Sequence, residues 1–537
     1  MPLIDKSTFT KAIANIARWG DTDIFPFPIE NHMFHDRSSD IADLLADVAN
    51  DFDNHLNLDP VFSYSTLAPV GYTGFRWATQ IDPLWNAYLL SLVLALAPEI
   101  ERFRIPAAQK HVFSYRYQPN GDGSLFAAGA WSDFQKEARR RAELSRYVIA
   151  VDIADFYSRI YHHRLENSLR EVDAGGMHTR QIMAILSKLS RNTSYGLPVG
   201  GPAARLLSEL VLDRVDDLLA ANPSTANFCR YADDYRFFVN DMQTAYRAIG
   251  FVSEKLLVNE GLSLQKGKTR IMSSSEYLAT LDPPNPPEGS AAKFLGLHIH
   301  FDPYSPTATE DYFRLKDKLH EFDILALLRE ELTKGRIHAA LARRLISALQ
   351  YMDTSTRKQA VISLLENIDI LAPVIPQVML AVRSTLTDID DPNFVDGVHD
   401  RIRQLITSSH YAANIALNLA FMIRVLASHR SLANEQLFIA IFDRTHGFGS
   451  GPAPNIKRDI VLAMARWRAA YWLSDLKNYV SAADPWVKRA FIVASYALGD
   501  EGKHWRDANK HSLRPFDKLL RDWAASKVQV QNWQVPI

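Results

Sequence analysis

The segment "NFCRYADDYRFFVN", residues 227–240, places two adjacent aspartates, Asp233 and Asp234, between two short apolar and aromatic runs. This pattern predicts a β-hairpin with both carboxylates at its tip. Aspartate is common in turns, so the pair could simply lie on a solvated loop. Adjacent carboxylates also repel each other unless a cation lies nearby. The pair could therefore instead be half of a metal site whose other half lies elsewhere in the chain.

The segment "AVDIADFYSRIY", residues 150–161, supplies a candidate for that other half. Asp152 ends an apolar, β-branched run that predicts a buried strand, where a charge needs compensation for its lost hydration. A divalent metal shared with Asp233 and Asp234 would provide it. Carboxylate oxygens are preferred ligands of Mg²⁺, and polymerases hold two such ions at one site. The three aspartates are therefore predicted to bind two Mg²⁺ ions, with Mn²⁺ as an alternative ion.

Composition restricts the class of protein but not its activity. The 537 residues are 47% hydrophobic and 23% charged, as in an ordinary globular protein of several domains. Lys and Arg number 60 against 61 Asp and Glu, so net charge says nothing about nucleic acid. The single cysteine, Cys229, excludes an internal disulfide and fits a reducing compartment. We expect a cytoplasmic protein with no membrane contact, because no signal layout is present and the longest apolar stretch, residues 84–97, is shorter than the roughly 20 residues that span a bilayer.

The character of the sequence changes along the chain and predicts an α+β protein. Residues 1–100 are mixed, residues 101–305 alternate strand-like and helical segments, and residues 306–537 are almost entirely helical in pattern. Successive helices of similar size in the last region predict a solenoid-like domain, although no strict period is present.

Three further segments suggest contacts with phosphate or nucleic acid. In "SYGLPVGGPAARLLSEL", residues 194–210, glycines open a predicted helix and would allow close approach of its N-terminal N–H groups to a phosphate. Alone this signal is weak, because Gly and Pro before a helix often only cap it. "LSLQKGKTRI", residues 262–271, adds Lys266 and Lys268, and "KFLGLHIH", residues 293–300, predicts a second hairpin.

Taken in order, Asp152 with Tyr157, "GLPVG", "YADD", "LSLQKGKT" and "KFLG" resemble the ordered motifs of reverse transcriptases. The segments "TDIFPFPIENH", "VFSYRY" and "LPVGGPAARLLSELVL" also resemble the bacterial abortive-infection and defence-associated branch. The resemblance implies right-hand fingers and palm, with residues 1–100 as an N-terminal extension and the start of the fingers and 101–305 as the core. An all-α, HEAT-like helical-repeat domain over 306–537 would follow, and the protein would act in anti-phage defence.

The resemblance also implies roles for individual residues. Asp152, Asp233 and Asp234 would be the catalytic, metal-binding carboxylates. Tyr157 would lie under the incoming sugar as a steric gate, and Arg116 and Lys268 would bind nucleotide phosphates. Arg116 could instead form a structural ion pair, and Lys268 could be a solvated charge. The implied template and primer contacts are Gly196, Leu197, Pro198, Gly200, Phe294, Leu295 and Gly296.

The implied partners are an RNA template, which could be a dedicated noncoding RNA, a DNA product, deoxynucleotides and further copies of the chain. One departure from the family is Val199, where many reverse transcriptases have Gln. Template-independent, protein-primed DNA synthesis is an alternative with the same chemistry. A non-catalytic helical interaction protein is another, which the intact aspartate trio disfavours. RNA synthesis is disfavoured by the bulky Tyr157.

Overall fold

The computed structural model of the chain describes residues 3–191, 193–281, 290–296, 315–319 and 321–537. The chain forms two compact units. The first contains Met1–Ser65, Ala78–Pro284 and Arg514–Leu519, and the second contains Thr66–Trp77, Asn285–Leu513 and Leu520–Ile537. Neither unit is one continuous stretch of chain. Most of the expected N-terminal extension belongs to the same unit as the central region, and the boundary expected near residue 305 lies outside the described residues.

The first unit is built mainly from helices. In chain order they are α1 (Lys6–Trp19), α2 (Glu30–Asp36), α3 (Ser38–Asn50), α4 (Phe52–Leu58), α5 (Pro83–Phe103), α6 (Ala130–Glu143), α7 (Phe156–Arg159), α8 (His162–Val172), α9 (Met177–Leu189), α10 (Pro202–Ala221), α11 (Met242–Lys255) and α12 (Ser274–Leu281). The segment after Asp152 forms two helices, α7 and α8, separated where Ile160 is extended.

Helix α5 forms much of the core of this unit. Asp82 caps it by accepting from the N–H of Leu84 at 3.1 Å, and Pro83 occupies the first helical position. Within the described residues it is the one helix long and apolar enough to cross a membrane, but 83% of its most apolar window is buried inside the protein. A helix that is apolar all round and enclosed in this way is typical of a core element.

A four-stranded antiparallel sheet carries the aspartates. Its strands are β3 (Tyr147–Asp152), β4 (Phe228–Tyr231), β5 (Asp234–Val239) and β6 (Arg270–Ser273), in the order β4-β5-β3-β6. A separate two-stranded sheet pairs β1 (Ser63–Val70) with β2 (Gly74–Ile81). The predicted strand before Asp152 and the predicted hairpin around Asp233 are both confirmed. Ala232, at the hairpin tip, has a left-handed backbone with φ of 53°.

A buried ionic network fixes the hairpin against α10. Arg230, on β4, is fully buried and donates to Asp216 at 2.5 Å and to Glu209 at 3.0 Å. Glu209 also accepts from Arg104 at 2.6 Å, and Tyr235 donates to Asp216 at 3.1 Å. Buried charges are tolerated when they are paired and hydrogen-bonded in this way. The network therefore holds the strand just before the aspartate pair in one position.

The second unit is helical in its described part, apart from the strand residues of Thr66–Trp77. Its helices are Ser290–Gly296, Ile324–Leu332, Ala339–Ala348, Thr354–Glu366, Ile375–Asp388, Pro392–Thr407, Ala416–Leu426, Leu432–Phe442, Pro454–Arg466, Ala470–Lys477, Pro485–Ala494 and Gly499–Asn509, and Pro515–Val528 is divided between the two units. The side chains of Asp323, Asp353 and Asp391 cap three of them. The helical character is thus confirmed for these residues, whereas a HEAT-like repeat stays a prediction.

The hairpin predicted for residues 293–300 is wrong in its described part. Residues 293–296 lie in the helix Ser290–Gly296, and residues 297–300 fall outside the described residues. Strong helix formers, Ala291 and Ala292, precede the apolar Phe294 and Leu295 and favour this helix.

Candidate active site

Strand pairing brings the predicted carboxylates together. Asp152 and Asp234 are Cα partners in the antiparallel pairing of β3 and β5. Asp233 precedes Asp234 in the turn, where its carbonyl accepts from the N–H of Ile153 at 3.1 Å. Side chains directly opposite each other on antiparallel strands stand on the same face, about 5 Å apart at Cβ. The sheet register, rather than any sequence proximity, therefore places Asp152 beside the aspartate pair.

The carboxylates of Asp152, Asp233 and Asp234 lie close enough for their negative charges to repel one another. Burial, together with the charges of Asp152 and Asp234, raises the pKa of Asp233 to about 6. Asp152 is itself only 9% exposed. Each ionised carboxylate therefore raises the free energy of the others, and a bound cation would relieve that cost.

Two side-chain cations already compensate part of this charge. Lys268 Nζ lies 2.8 Å from Asp152 Oδ2, and this hydrogen bond raises the pKa of Lys268. Arg236 lies 3.4 Å from Asp234 Oδ1. The N–H of Gln265 donates to the carbonyl of Asp152 at 2.7 Å, which ties the lysine-bearing segment to the end of β3. Lys268 is thus at the site, as predicted.

The chemistry of the three carboxylates suits a hard divalent cation, but their side chains are not converged on one point. In the described part of the chain, no three His, Cys, Asp or Glu side chains form a group that could hold a metal ion. Lys268 holds Asp152 Oδ2, so a metal that binds Asp152 through this oxygen must displace the ammonium. The side chain of Lys268 is 65% exposed, which leaves it free to move into solvent.

Tyr157, the predicted gate, lies among the side chains of Tyr115 and Ser208. Burial raises its pKa well above the ordinary value, and the nearby hydroxyl of Tyr115 acts in the same direction. The hydroxyl groups of Ser208 and Tyr115 lie near its own hydroxyl. The guanidinium of Arg205 lies over the ring of Tyr115, 5.4 Å from its centroid. These contacts restrict where the Tyr157 ring can lie.

The "GLPVG" segment is anchored beside Tyr157. The N–H of Leu197 donates to the carbonyl of Tyr157 at 2.8 Å, and that of Gly196 donates to the carbonyl of Ile160 at 2.9 Å. Gly196 has a φ of 99°, which requires glycine. The structure therefore brings the predicted contacts Gly196 and Leu197 to the gate.

Gly200 is required both by its backbone and by a close neighbour. Its φ is 130°, and a Cβ there would lie 2.6 Å from Thr22 Oγ1. Gly200 also lines a cavity of about 270 Å³ whose walls include Arg205 and Asp23. Arg205 and Asp23 form an ion pair at 2.7 Å. Pro198 lies elsewhere, against a space of about 10 Å³ too small for a ligand.

The prediction that Arg116 holds nucleotide phosphates is not supported. Its guanidinium is buried and donates to Glu101 Oε1 at 2.7 Å and to the carbonyls of Ile105 and Val112 at 2.6 and 2.9 Å. Every nitrogen of the group has a protein acceptor, since Nε also donates to Val112 at 3.1 Å. Arg116 is therefore the structural ion pair that was the alternative, and it braces the loop before α6.

The predicted primer contacts Phe294, Leu295 and Gly296 belong to the second unit. Phe294 is fully buried and its ring meets that of Phe322 edge-on at 5.6 Å between centroids. A buried ring in a helix packs against the protein and is not available to a primer strand. Phe294 is therefore part of the packing of the second unit.

Sequence reasoning missed four residues of this site: Tyr115, Arg205, Ser208 and Arg236. Arg205 and Ser208 are three residues apart on α10, a spacing that places side chains on one helix face. That spacing could have linked them once "GLPVG" was recognised. Tyr115 and Arg236 carry no such signal, because their positions depend on tertiary contacts alone.

Residues 96–299 match the family model described as reverse transcriptase (RNA-dependent DNA polymerase). No curated protein sequence matches the chain.

Similar solved structures include a telomerase from Candida albicans in complex with the TWJ fragment of telomeric RNA, at 11% identity and a TM-score of 0.30, covering 67% of this chain and 68% of that one. An apo telomerase from Candida tropicalis is similar at 12% identity and a TM-score of 0.32, covering 71% and 64% of the two chains. The family match shows that the chain contains a reverse transcriptase domain over residues 96–299. This is the domain of an RNA-directed DNA polymerase, which is a nucleotidyltransferase.

Proposed function

We propose that the enzyme copies RNA into DNA at Asp152, Asp233 and Asp234, which hold two Mg²⁺ ions, with Mn²⁺ as a substitute. The observation that carries this proposal is the pairing of Asp152 with Asp234 across β3 and β5, with Asp233 in the adjoining turn. When bound, the ions would make the primer 3′-hydroxyl a better nucleophile and neutralise charge on the transferring phosphate.

The side chains around the aspartates have separate tasks in this proposal. Lys268 leaves Asp152 when metal binds and remains close enough to offset the charge of the departing pyrophosphate. Arg236 stays beside Asp234 and limits the repulsion between the carboxylates. The buried Arg230 network holds the hairpin in register while these charges change.

Selection of the sugar falls to Tyr157. Its ring follows Asp152 by five residues and is restrained by Ser208 and Tyr115. A restrained ring beside the nucleotide excludes a 2′-hydroxyl because overpacking a tight site is costly. The substrates are therefore deoxynucleotides, and the adjoining cavity lined by Gly200 and Arg205 is where we place part of the incoming nucleotide.

Templated synthesis can be tested with a defined RNA of mixed sequence, an annealed primer and all four deoxynucleotides. We expect products complementary to the RNA, with synthesis stopping at the first position that requires an omitted nucleotide. Products of unchanged sequence in reactions that lack the RNA would contradict templating and favour the untemplated alternative.

We also propose that the protein acts in anti-phage defence in the cytoplasm as a homo-oligomer that captures RNA through its helical unit. The support is the resemblance of residues 22–32 and 112–117 to the defence-associated branch. Helical units in a row offer extended surfaces for such contacts. Phage plating on cells that express wild type or Asp233→Asn tests the role, and equal plaque numbers would contradict it. Light scattering on the full chain tests the assembly, and a monomer would contradict that part.

A further inference from the structure

The second unit contains a pocket of about 440 Å³ that we call the basic pocket. Its walls are formed by Thr387, Ser428, His429, Arg430, Arg466, Trp467 and Gln534. All of these residues belong to the second unit, and none carries a carboxylate. The pocket is as large as sites that hold small organic ligands, about 300–1,000 Å³. A free phosphate ion would fill only part of it.

Arg466 gives the pocket an uncompensated charge. It is half-buried, and burial lowers its pKa. Among the described residues it has neither an ion pair nor a hydrogen-bond partner, unlike Arg424, which pairs with Asp459 at 2.6 Å. A partly desolvated guanidinium without a counter-ion is unfavourable. An anionic ligand would supply the missing partner.

Charges of both signs surround the pocket: the carboxylates Asp390 and Asp396 act on His429, whereas further arginines lie beside Arg466. Arg383 lies near Arg466, and burial together with the charges of Arg424 and Arg466 lowers the pKa of Arg383 to about 10. Arg430, in the wall of the pocket, donates through Nε to the buried Glu435 at 2.5 Å and keeps more than half of its side chain exposed. The combined field favours an anion over a neutral ligand.

The neutral groups of the wall are also rich in donors. Trp467 Nε1 is buried without an acceptor in the described part of the chain. His429 Nδ1 and Ser428 Oγ are hydrogen-bonded to each other at 3.1 Å, and Ser428 Oγ is joined to His399 Nε2 at 3.3 Å. A pocket lined by guanidinium and imidazole groups but no carboxylate is complementary to an anion with several oxygens.

We propose that the basic pocket binds a phosphate group carried by a nucleotide, either free or as part of a nucleic-acid strand. Guanidinium groups bind phosphate through paired N–H donors. The size of the pocket leaves room for the sugar or a neighbouring phosphate. This site is additional to the aspartates and does not depend on their activity.

The test measures binding by the full chain in EDTA, which removes metal-dependent binding. One arm titrates ATP by calorimetry, and the other follows fluorescence anisotropy of a labelled single-stranded oligonucleotide with a 5′-phosphate. We expect Arg466→Gln to weaken binding in at least one arm by tenfold or more and Arg466→Lys to weaken it about threefold. Loss in the ATP arm alone assigns a free nucleotide, and loss in the oligonucleotide arm assigns a strand.

Controls separate the pocket from the rest of the protein. Arg444→Gln removes an exposed arginine outside the pocket and should bind like wild type in EDTA. If Arg466→Gln melts below wild type, Arg430→Gln replaces it, since that side chain is mostly exposed. Unchanged affinity in both arms for a folded Arg466 or Arg430 variant would overturn the proposal.

Discussion

Asp152 lies directly opposite Asp234 in the sheet, and Lys268 Nζ, 2.8 Å from Asp152, occupies the position of a counter-ion. The backbone therefore brings the carboxylates together before any metal is present, and the lysine limits the cost of doing so. In this arrangement a divalent ion would have to compete with the lysine for Asp152 Oδ2.

Removing the lysine should strengthen metal binding. Lys268→Met is expected to tighten Mn²⁺ binding by up to about fivefold, because exposed ion pairs are worth up to about 1 kcal/mol. Calorimetric titration of the full chain with Mn²⁺ measures this. Lys266→Met, which removes an exposed lysine two residues away, is the matched control and should leave affinity unchanged. Weaker Mn²⁺ binding by Lys268→Met would refute the competition.

Tyr157 should set the choice of sugar through its ring rather than its hydroxyl. Tyr157→Ala is expected to admit ribonucleotides while synthesis keeps its need for metal. Tyr157→Phe keeps the ring and loses only the hydroxyl that lies near Ser208 and Tyr115, so it should still favour deoxynucleotides. Incorporation of labelled dNTP and rNTP by the three proteins decides this. Equal use of both nucleotide types by wild type would show that no gate exists.

Arg230 should be critical for stability. Arg230→Met leaves Glu209 and Asp216 as buried carboxylates without their main cation, which is expected to cost about 3–5 kcal/mol. Urea unfolding followed by circular dichroism measures the change. Arg102→Met, which breaks an exposed pair with Glu99, should barely move the midpoint. Similar midpoints for the two variants would mean that the network contributes little.

Asp213 should make stability depend on pH. Burial, followed by the charges of Asp216 and Asp217, raises its pKa to about 7. Between this value and the ordinary pKa of an aspartate, the folded state binds a proton that the unfolded state lacks, so this group makes the protein more stable as pH falls from 8 to 5. Asp213→Asn should therefore stabilise the fold at pH 8 by on the order of 1 kcal/mol, after allowance for partial exposure, and give a smaller gain, less than about half as large, at pH 5. Urea unfolding at both pH values tests this, and destabilisation at pH 8 would contradict it.

Local pattern was enough to predict β3, the hairpin of β4 and β5, and the helix α10. In each, apolar spacing and turn residues agree with the tertiary environment. The metal chemistry predicted for the three aspartates follows from residue type. The order of the motifs along the chain predicted that Lys268 and "GLPVG" belong to the site. The strand register explains why motifs that are distant in the sequence lie near one another.

Sequence pattern gave wrong predictions where tertiary contacts determine the position or role of a residue. The sequence suggested that Arg116 is a free cation, but every nitrogen of its guanidinium donates to Glu101 or to a nearby backbone carbonyl. Residues 293–296 were predicted as part of a hairpin, but they form a helix, which the alanines before them favour. Tyr115 gives no signal at all, since its partner Tyr157 is 42 positions away in the chain.

The most direct test of the central claim is metal-dependent dNTP incorporation by wild type and Asp233→Asn on the same RNA template and primer. Asp241→Asn is the matched control, because Asp241 only caps the helix after the hairpin. Asp233→Asn removes a ligand charge from a site built on three, so incorporation should fall by orders of magnitude while Asp241→Asn stays active. Near-wild-type incorporation by a folded Asp233→Asn protein would contradict the assignment of these aspartates as the metal site.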